Sequence, residues 1–164
     1  MKHTLKIIVL LFSILSVSSA LTAFSYNLLN LHNNARAVFG VPKLQWSNTL
    51  QATSQIWANT LAKTNNFVHS KRVYTGENLA YGTVGVFTPT RLFNLWMAEK
   101  KYFILGRKFP SVSTTGSYKA VGHYTQIIWR TTQQVGCAMA SNSKRTYLVC
   151  QYKNPGNIIG SYVY

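Results

Sequence analysis

Aspartate does not occur in this 164-residue chain, and glutamate occurs only at Glu77 and Glu99. Without aspartate there is no Ser-His-Asp triad. Any pair of carboxylates doing acid-base work would have to be Glu77 and Glu99. Cysteine is equally scarce, with only Cys137 and Cys150. No ligand spacing of a zinc finger is present, and an even pair in an oxidising compartment predicts one disulfide. No glycine-rich phosphate loop is present, no RNA-binding consensus, and no Asn-x-Ser/Thr sequon. Nucleic acid is therefore not an expected partner.

The chain starts MKHTLKIIVLLFSILSVSSA. Two lysines precede a short apolar run that ends in small residues, the pattern of a secretory leader. Ser18 and Ala20 occupy the small positions before cleavage, so residues 1–20 are read as a signal peptide. The run from Ile7 to Leu15 is too short for a comfortable bilayer span. Residues 21–164 then form a single secreted, extracellular domain, long enough for one core. They carry a charge of +13, fifteen cations against two acids, from seventeen Lys and Arg less Lys2 and Lys6. Such a surface attracts anionic membrane or glycan. Ion pairs cannot hold the fold together, because nearly every cation lacks an acidic partner.

Periodicity suggests the elements. A helix over 25–37 has a Ser25 cap and an apolar side that includes Leu28, Leu31, His32 and Ala35. Pro42 stops it. A second helix follows Ser47, with Leu50, Ser54, Trp57, Ala58 and Leu61 on one face. Thr88-Pro89 opens a third, whose inward stripe is Leu92, Leu95, Trp96 and Glu99. GENLAYG (76–82) reads as a turn leading into an apolar segment, and 103–120 as a long loop. A short helix or turn carries Thr125 to Trp129. QVGCAMA (134–140) and TYLVCQY (146–152) read as antiparallel strands. A register with Ala140 beside Tyr147 sets Cys137 opposite Cys150, where a cross-strand bond can form.

His32, His69, His123, Glu77 and Glu99 are the polar groups available for a site. An inward Glu99 asks for a specific partner, since an unpaired carboxylate should not face a core. Two imidazoles and two carboxylates can bind a divalent metal. Separations of eight residues (His69 to Glu77) and twenty-four (Glu99 to His123) make no local motif. The residues themselves leave both a convergent site and separate structural roles open.

Four ordered segments carry a resemblance. GHYTQIIWRTTQQVGCA (122–138), YLVCQYKNPGNIIG (147–160), GENLAYG (76–82) and HNNAR (32–36) resemble the signatures of the CAP superfamily: cysteine-rich secretory proteins, antigen 5 and plant pathogenesis-related 1 proteins. The likeness is strongest to fungal Pry-type and plant pathogenesis-related forms. It implies an α+β fold, a three-layer α-β-α sandwich with a central antiparallel sheet. It also implies a cleft where His69, Glu77, Glu99 and His123 hold a divalent metal, zinc or magnesium. His32 and Arg36 fall in the helical HNNAR segment and are read as structural. Trp57, Trp96 and Trp129 are read as core.

Members of the Pry and pathogenesis-related type bind sterols, and some bind fatty acids. The resemblance therefore implies a secreted protein that sequesters or exports small hydrophobic ligands. The corresponding loop here is KKYFILGRKFP (100–110), with Tyr102, Phe103 and Phe109 as lipid-binding candidates among four cations. It is strongly basic, whereas loops of the family tend to be acidic or neutral and proline-rich. Two alternatives follow: a basic defence protein binding anionic membrane or glycan, and a metal-dependent hydrolase using Glu77 or Glu99 as base. The family is not generally catalytic.

Overall fold

The computed structural model describes residues 21–164, so the leader read at 1–20 lies outside the described residues. Helix α1 runs Ala23–Ala37. Its cap is Thr22, whose Oγ1 accepts from the Ser25 amide at 3.2 Å. The expected cap, Ser25, is instead buried in the first turn. Helix α2 spans Asn48–Thr64 and is capped by Ser47 as expected. It ends at Asn65, which takes the left-handed conformation (φ 55°) that asparagine tolerates. Helix α3, Pro89–Met97, starts from a Thr88 cap with proline in its first turn. A 3₁₀ turn, Ala98–Tyr102, extends it and carries Glu99. Helix α4 is Gly122–Ile127. Among the described residues no helix is long and apolar enough to cross a membrane.

Four strands make one sheet in the order β1-β3-β4-β2. They are β1 Gln45–Trp46, β2 Thr75–Thr83, β3 Gln134–Ser141 and β4 Arg145–Lys153. β3 and β4 pair antiparallel, with Ala140 opposite Tyr147 and Cys137 opposite Cys150. Those cysteines are joined by a disulfide. β2 pairs antiparallel with β4 over nine residues. The two-residue β1 lies parallel to β3, so the sheet is mixed and not purely antiparallel as expected.

β4 is buried on both faces, as a central strand must be when both sides are covered. Tyr147 and Val149 pack with Ala58 and Leu61 of α2 and Leu79 of β2. Leu148, Cys150 and Tyr152 join the larger core beneath α1, α3 and α4. This is the three-layer sandwich. Gly136 lets α2 lie close on β3, because a Cβ there would collide with the backbone of Ser47 and Gln51.

One inward assignment and one ligand-facing assignment are corrected. Leu95 faces solvent, and Phe93 takes its place beside Leu92 and Trp96. Phe109 is only 3% exposed. Its ring packs between Tyr118 and Trp129, so it belongs to the core and presents no face to a lipid.

The His32 and Arg36 face of α1 is buried entirely. His32 Nδ1 lies 2.7 Å from the Leu28 carbonyl and Nε2 lies 2.9 Å from the Tyr152 hydroxyl. The carbonyl can only accept, so Nδ1 carries the proton and Nε2 accepts from tyrosine. Arg36 donates to the carbonyls of Pro42, Ile127, Trp129 and Thr132 at 2.7 to 3.1 Å. One guanidinium thus ties α1 to the end of α4 and to the segments entering β1 and β3.

Candidate functional site

Glu77 sits on the edge strand β2, and Glu99 on the turn after α3. His123 opens α4, and His69 precedes β2 in an irregular segment. The structure brings the four together as two pairs. His69 Nδ1 is 2.8 Å from Glu77 Oε1, and His123 Nδ1 is 2.6 Å from Glu99 Oε1. In each pair the imidazole is the more exposed partner: 61% against 7% for His69 and Glu77, and 34% against 18% for His123 and Glu99.

Glu77 accepts four hydrogen bonds and Glu99 three. Glu77 Oε1 also accepts from the Ser70 amide, and its Oε2 accepts from Ser70 Oγ and Gln151 Nε2. Burial alone would raise the Glu77 pKa. Hydrogen bonds from His69, Ser70 and Gln151 outweigh it and hold the carboxyl below its ordinary value. Glu99 Oε2 accepts from the amides of His123 and Tyr124. Those bonds fix the first turn of α4 against the end of α3. They also answer the question of why an acid lies on an inward stripe.

Because each Nδ1 faces a carboxylate, each imidazole is held as the Nδ1–H tautomer with Nε2 free to coordinate. His69, Glu77 and His123 line a hollow of about 440 Å³, with Asn78, Tyr118 and Lys119 on its walls. His123 stacks on Trp96 at 6.1 Å between centroids and 17° between planes. Trp96 in turn donates to the Leu79 carbonyl. Imidazole nitrogens of this kind are common ligands of divalent metals, although among the described residues these two pairs do not gather three ligand atoms in one cluster. The carboxylates fit as orienting partners behind the ligands.

A second convergence, His32 with Cys137 and Cys150, has ligand atoms within 4.8 Å of one another. It fits no metal, since the sulfurs are joined to each other and both His32 nitrogens are taken.

Sequence reasoning missed Ser70, Gln151 and Asn78. Gln151 lies opposite Glu77 in the β2–β4 register. Asn78 donates to the His123 carbonyl and so links β2 to α4. Ser70 and Asn78 directly follow His69 and Glu77, and adjacency is the signal that could have found them.

The loop candidates separate. Phe103 lines a hollow of about 370 Å³ with Val38, Phe39, Leu105, Tyr124 and Lys100. Tyr102 is on the surface, with the Lys101 ammonium 4.8 Å from its ring centroid. Phe109 is buried behind them.

Residues 29–152 match the family model described as "Cysteine-rich secretory protein family". The chain is 38% identical over 156 residues to pathogenesis-related protein 1C of Nicotiana tabacum, covering 94% of this chain and 89% of that one. It is 41% identical over 141 residues to "Repressed by EFG1 protein 1" of Candida albicans, covering 84% of this chain and 48% of that protein. Among solved structures, the one titled "Crystal structure of NaASP2 with Zn2+" superposes with a TM-score of 0.72 at 23% identity, covering 90% of this chain and 88% of that one.

Proposed function

The chain belongs to the cysteine-rich secretory protein family, the CAP superfamily, and from that premise we propose that it is an extracellular carrier of sterols or related small lipids. The observation that carries this reading is the apolar hollow between the end of α1 and the loop after α3. At about 370 Å³ it falls within the roughly 300–1,000 Å³ of small-ligand sites. Phe39 and Phe103 offer ring faces above the buried Tyr124, and exposed Val38 and Leu105 form an apolar rim. Lys100 stands at the mouth, suited to a ligand hydroxyl or carboxylate or to an acidic membrane surface.

Truncating Phe103 to alanine removes apolar contact worth about 1.5–3 kcal/mol, so its affinity for radiolabelled cholesterol falls about tenfold or more. Phe103 also packs on Tyr124 and Tyr164. A Leu105→Lys variant at the rim therefore serves as a second probe that leaves the core intact. Unchanged cholesterol affinity in both would move the ligand elsewhere.

The paired histidines serve as a divalent-metal site that braces α4 against β2. A divalent metal would be held by His69 and His123 and would supply a link between the segment before β2 and the start of α4. Glu77 and Glu99 keep those rings oriented. Every carboxylate oxygen already accepts at least one hydrogen bond, an arrangement that suits holding the rings in place. We expect His123→Ala to lose zinc binding, measured by calorimetry, while the far-ultraviolet circular dichroism is unchanged. Zinc affinity equal to that of the parent chain would remove His123 from the ligand set.

A further inference from the structure

A hollow of about 460 Å³ lies at the β1 and β3 end of the sheet and shares no residue with the paired-histidine cleft or the apolar hollow. Lys43 and Arg130 stand on its walls with the amides of Gln45, Gln133 and Gln134. A second hollow, about 270 Å³, adjoins it through Gln134, which lines both. Lys153, Tyr74 and the first turn of α2 border the second. Together their linings, polar and apolar in nearly equal parts, form a groove with three cations and no acid.

Three observations define what would bind. First, the charge is uncompensated. Among the described residues Lys43, Arg130 and Lys153 make no ion pair, because both carboxylates face histidines in the other cleft. Arg36 adds a buried cation beneath the floor, bonded to the carbonyls of Pro42 and Thr132, two residues of the groove. The N-terminal end of α2 contributes in the same sense. Second, side-chain amides and the hydroxyls of Thr49 and Thr75 alternate with the cations, and such groups match sugar hydroxyls. Third, Tyr74 holds a left-handed backbone (φ 64°), uncommon for an aromatic, and its side chain is displayed to solvent at 88% exposure. A lone exposed ring beside such a groove suits stacking on the C–H face of a pyranose, whose edge hydrogens meet the negative ring face.

We propose that this groove binds an acidic oligosaccharide, with Arg130 and Lys43 on its carboxylate or sulfate groups and Tyr74 stacked on a sugar ring. A membrane would need a flatter apolar face. Nucleic acid would need several stacking aromatics along a basic track, and the groove offers one.

The test is calorimetric titration of residues 21–164 at physiological salt. The probes are a galacturonic acid hexamer, a heparin hexasaccharide, neutral cellohexaose and a short single-stranded DNA. At least one acidic sugar should bind saturably, and cellohexaose at least tenfold more weakly. Lys43→Ala with Arg130→Ala should lower acidic-sugar affinity tenfold or more, and Tyr74→Ala severalfold. Lys63→Ala with Lys144→Ala removes the same charge at the far end of α2 and in the β3–β4 turn, and should change affinity less than twofold. Which acidic probe binds separates carboxylate from sulfate recognition. Equal losses in the two double variants would overturn the site in favour of general surface attraction. So would no saturable acidic-sugar binding, or DNA binding as tight with the same dependence on Lys43 and Arg130. Cholesterol binding is read separately, so failure here leaves the lipid proposal standing, and the reverse.

Discussion

Replacing Arg36 with methionine lowers the free energy of unfolding by about 3–5 kcal/mol, a loss comparable to breaking a buried ion pair. The arithmetic rests on four carbonyls. Pro42, Ile127, Trp129 and Thr132 each accept one bond from the guanidinium. A buried acceptor left without a donor costs about 1–3 kcal/mol, and water recovers part of that where Pro42 approaches the surface. Typical domains are stable by only about 5–15 kcal/mol, so the variant is left marginal. Burial lowers the Arg36 pKa to about 10, which leaves it charged at neutral pH. An Arg36→Lys substitution keeps the charge and loses the planar fork, so it recovers only part of the deficit. Urea unfolding of residues 21–164 measures this directly. A loss below about 1 kcal/mol would mean that the four carbonyls find other donors.

Acid weakens the fold through His32. Burial, aided by the nearby Arg36 charge, brings its pKa from 6.5 down to about 4, against the opposing pull of the Leu28 carbonyl. Above pH 6.5 the ring is neutral in both folded and unfolded chains. As pH falls below 6.5 the unfolded chain takes up a proton that the folded one refuses, so stability drops until about pH 4. The interval corresponds to roughly 3 kcal/mol. Glu77 adds a loss of the same sign at lower pH, because its folded pKa is depressed and its contribution disappears as pH falls through that value. Urea midpoints at about pH 7 and pH 4.5 should differ accordingly. A His32→Phe variant starts less stable, since Tyr152 loses its acceptor, yet shows a flatter slope. A slope as steep as the parent's would place the titration on another group.

How far these features could be read beforehand depends on the kind of signal. The starts of α2 and α3 were legible because Ser47 and Thr88-Pro89 act locally, through one hydrogen bond and one fixed torsion. The hairpin register was legible because an alternating strand pair admits few alignments, and Ala140 beside Tyr147 brings the cysteines together. β2 was not legible. Its Gly76 and Asn78 read as turn residues, and its place comes from nine partners on β4, more than sixty residues away. β1 has two residues and so no period to detect. Leu95 and Phe93 differ in burial because residues two apart on a helix point to nearly opposite sides, and packing placed Phe93 inward. Phe109 lay among cations in sequence, and only the folded path of the loop turns it toward Trp129. In the cleft, the residue types left a convergent site and separate structural roles both open, and the family resemblance named the candidate members. The pairing of each histidine with one particular glutamate needed the fold.

The solitary cations have an evolutionary consequence. Among the described residues both ion pairs join histidine to glutamate, and no lysine answers to a carboxylate. Lysines such as Lys63 and Lys144 can therefore be exchanged one after another at little cost to the framework. The net charge of the exterior is then a free variable, open to selection by whatever the molecule encounters, while disulfide, core and buried guanidinium preserve the shape. A lineage built this way can move from basic to neutral by drift, and need not compensate each step inside.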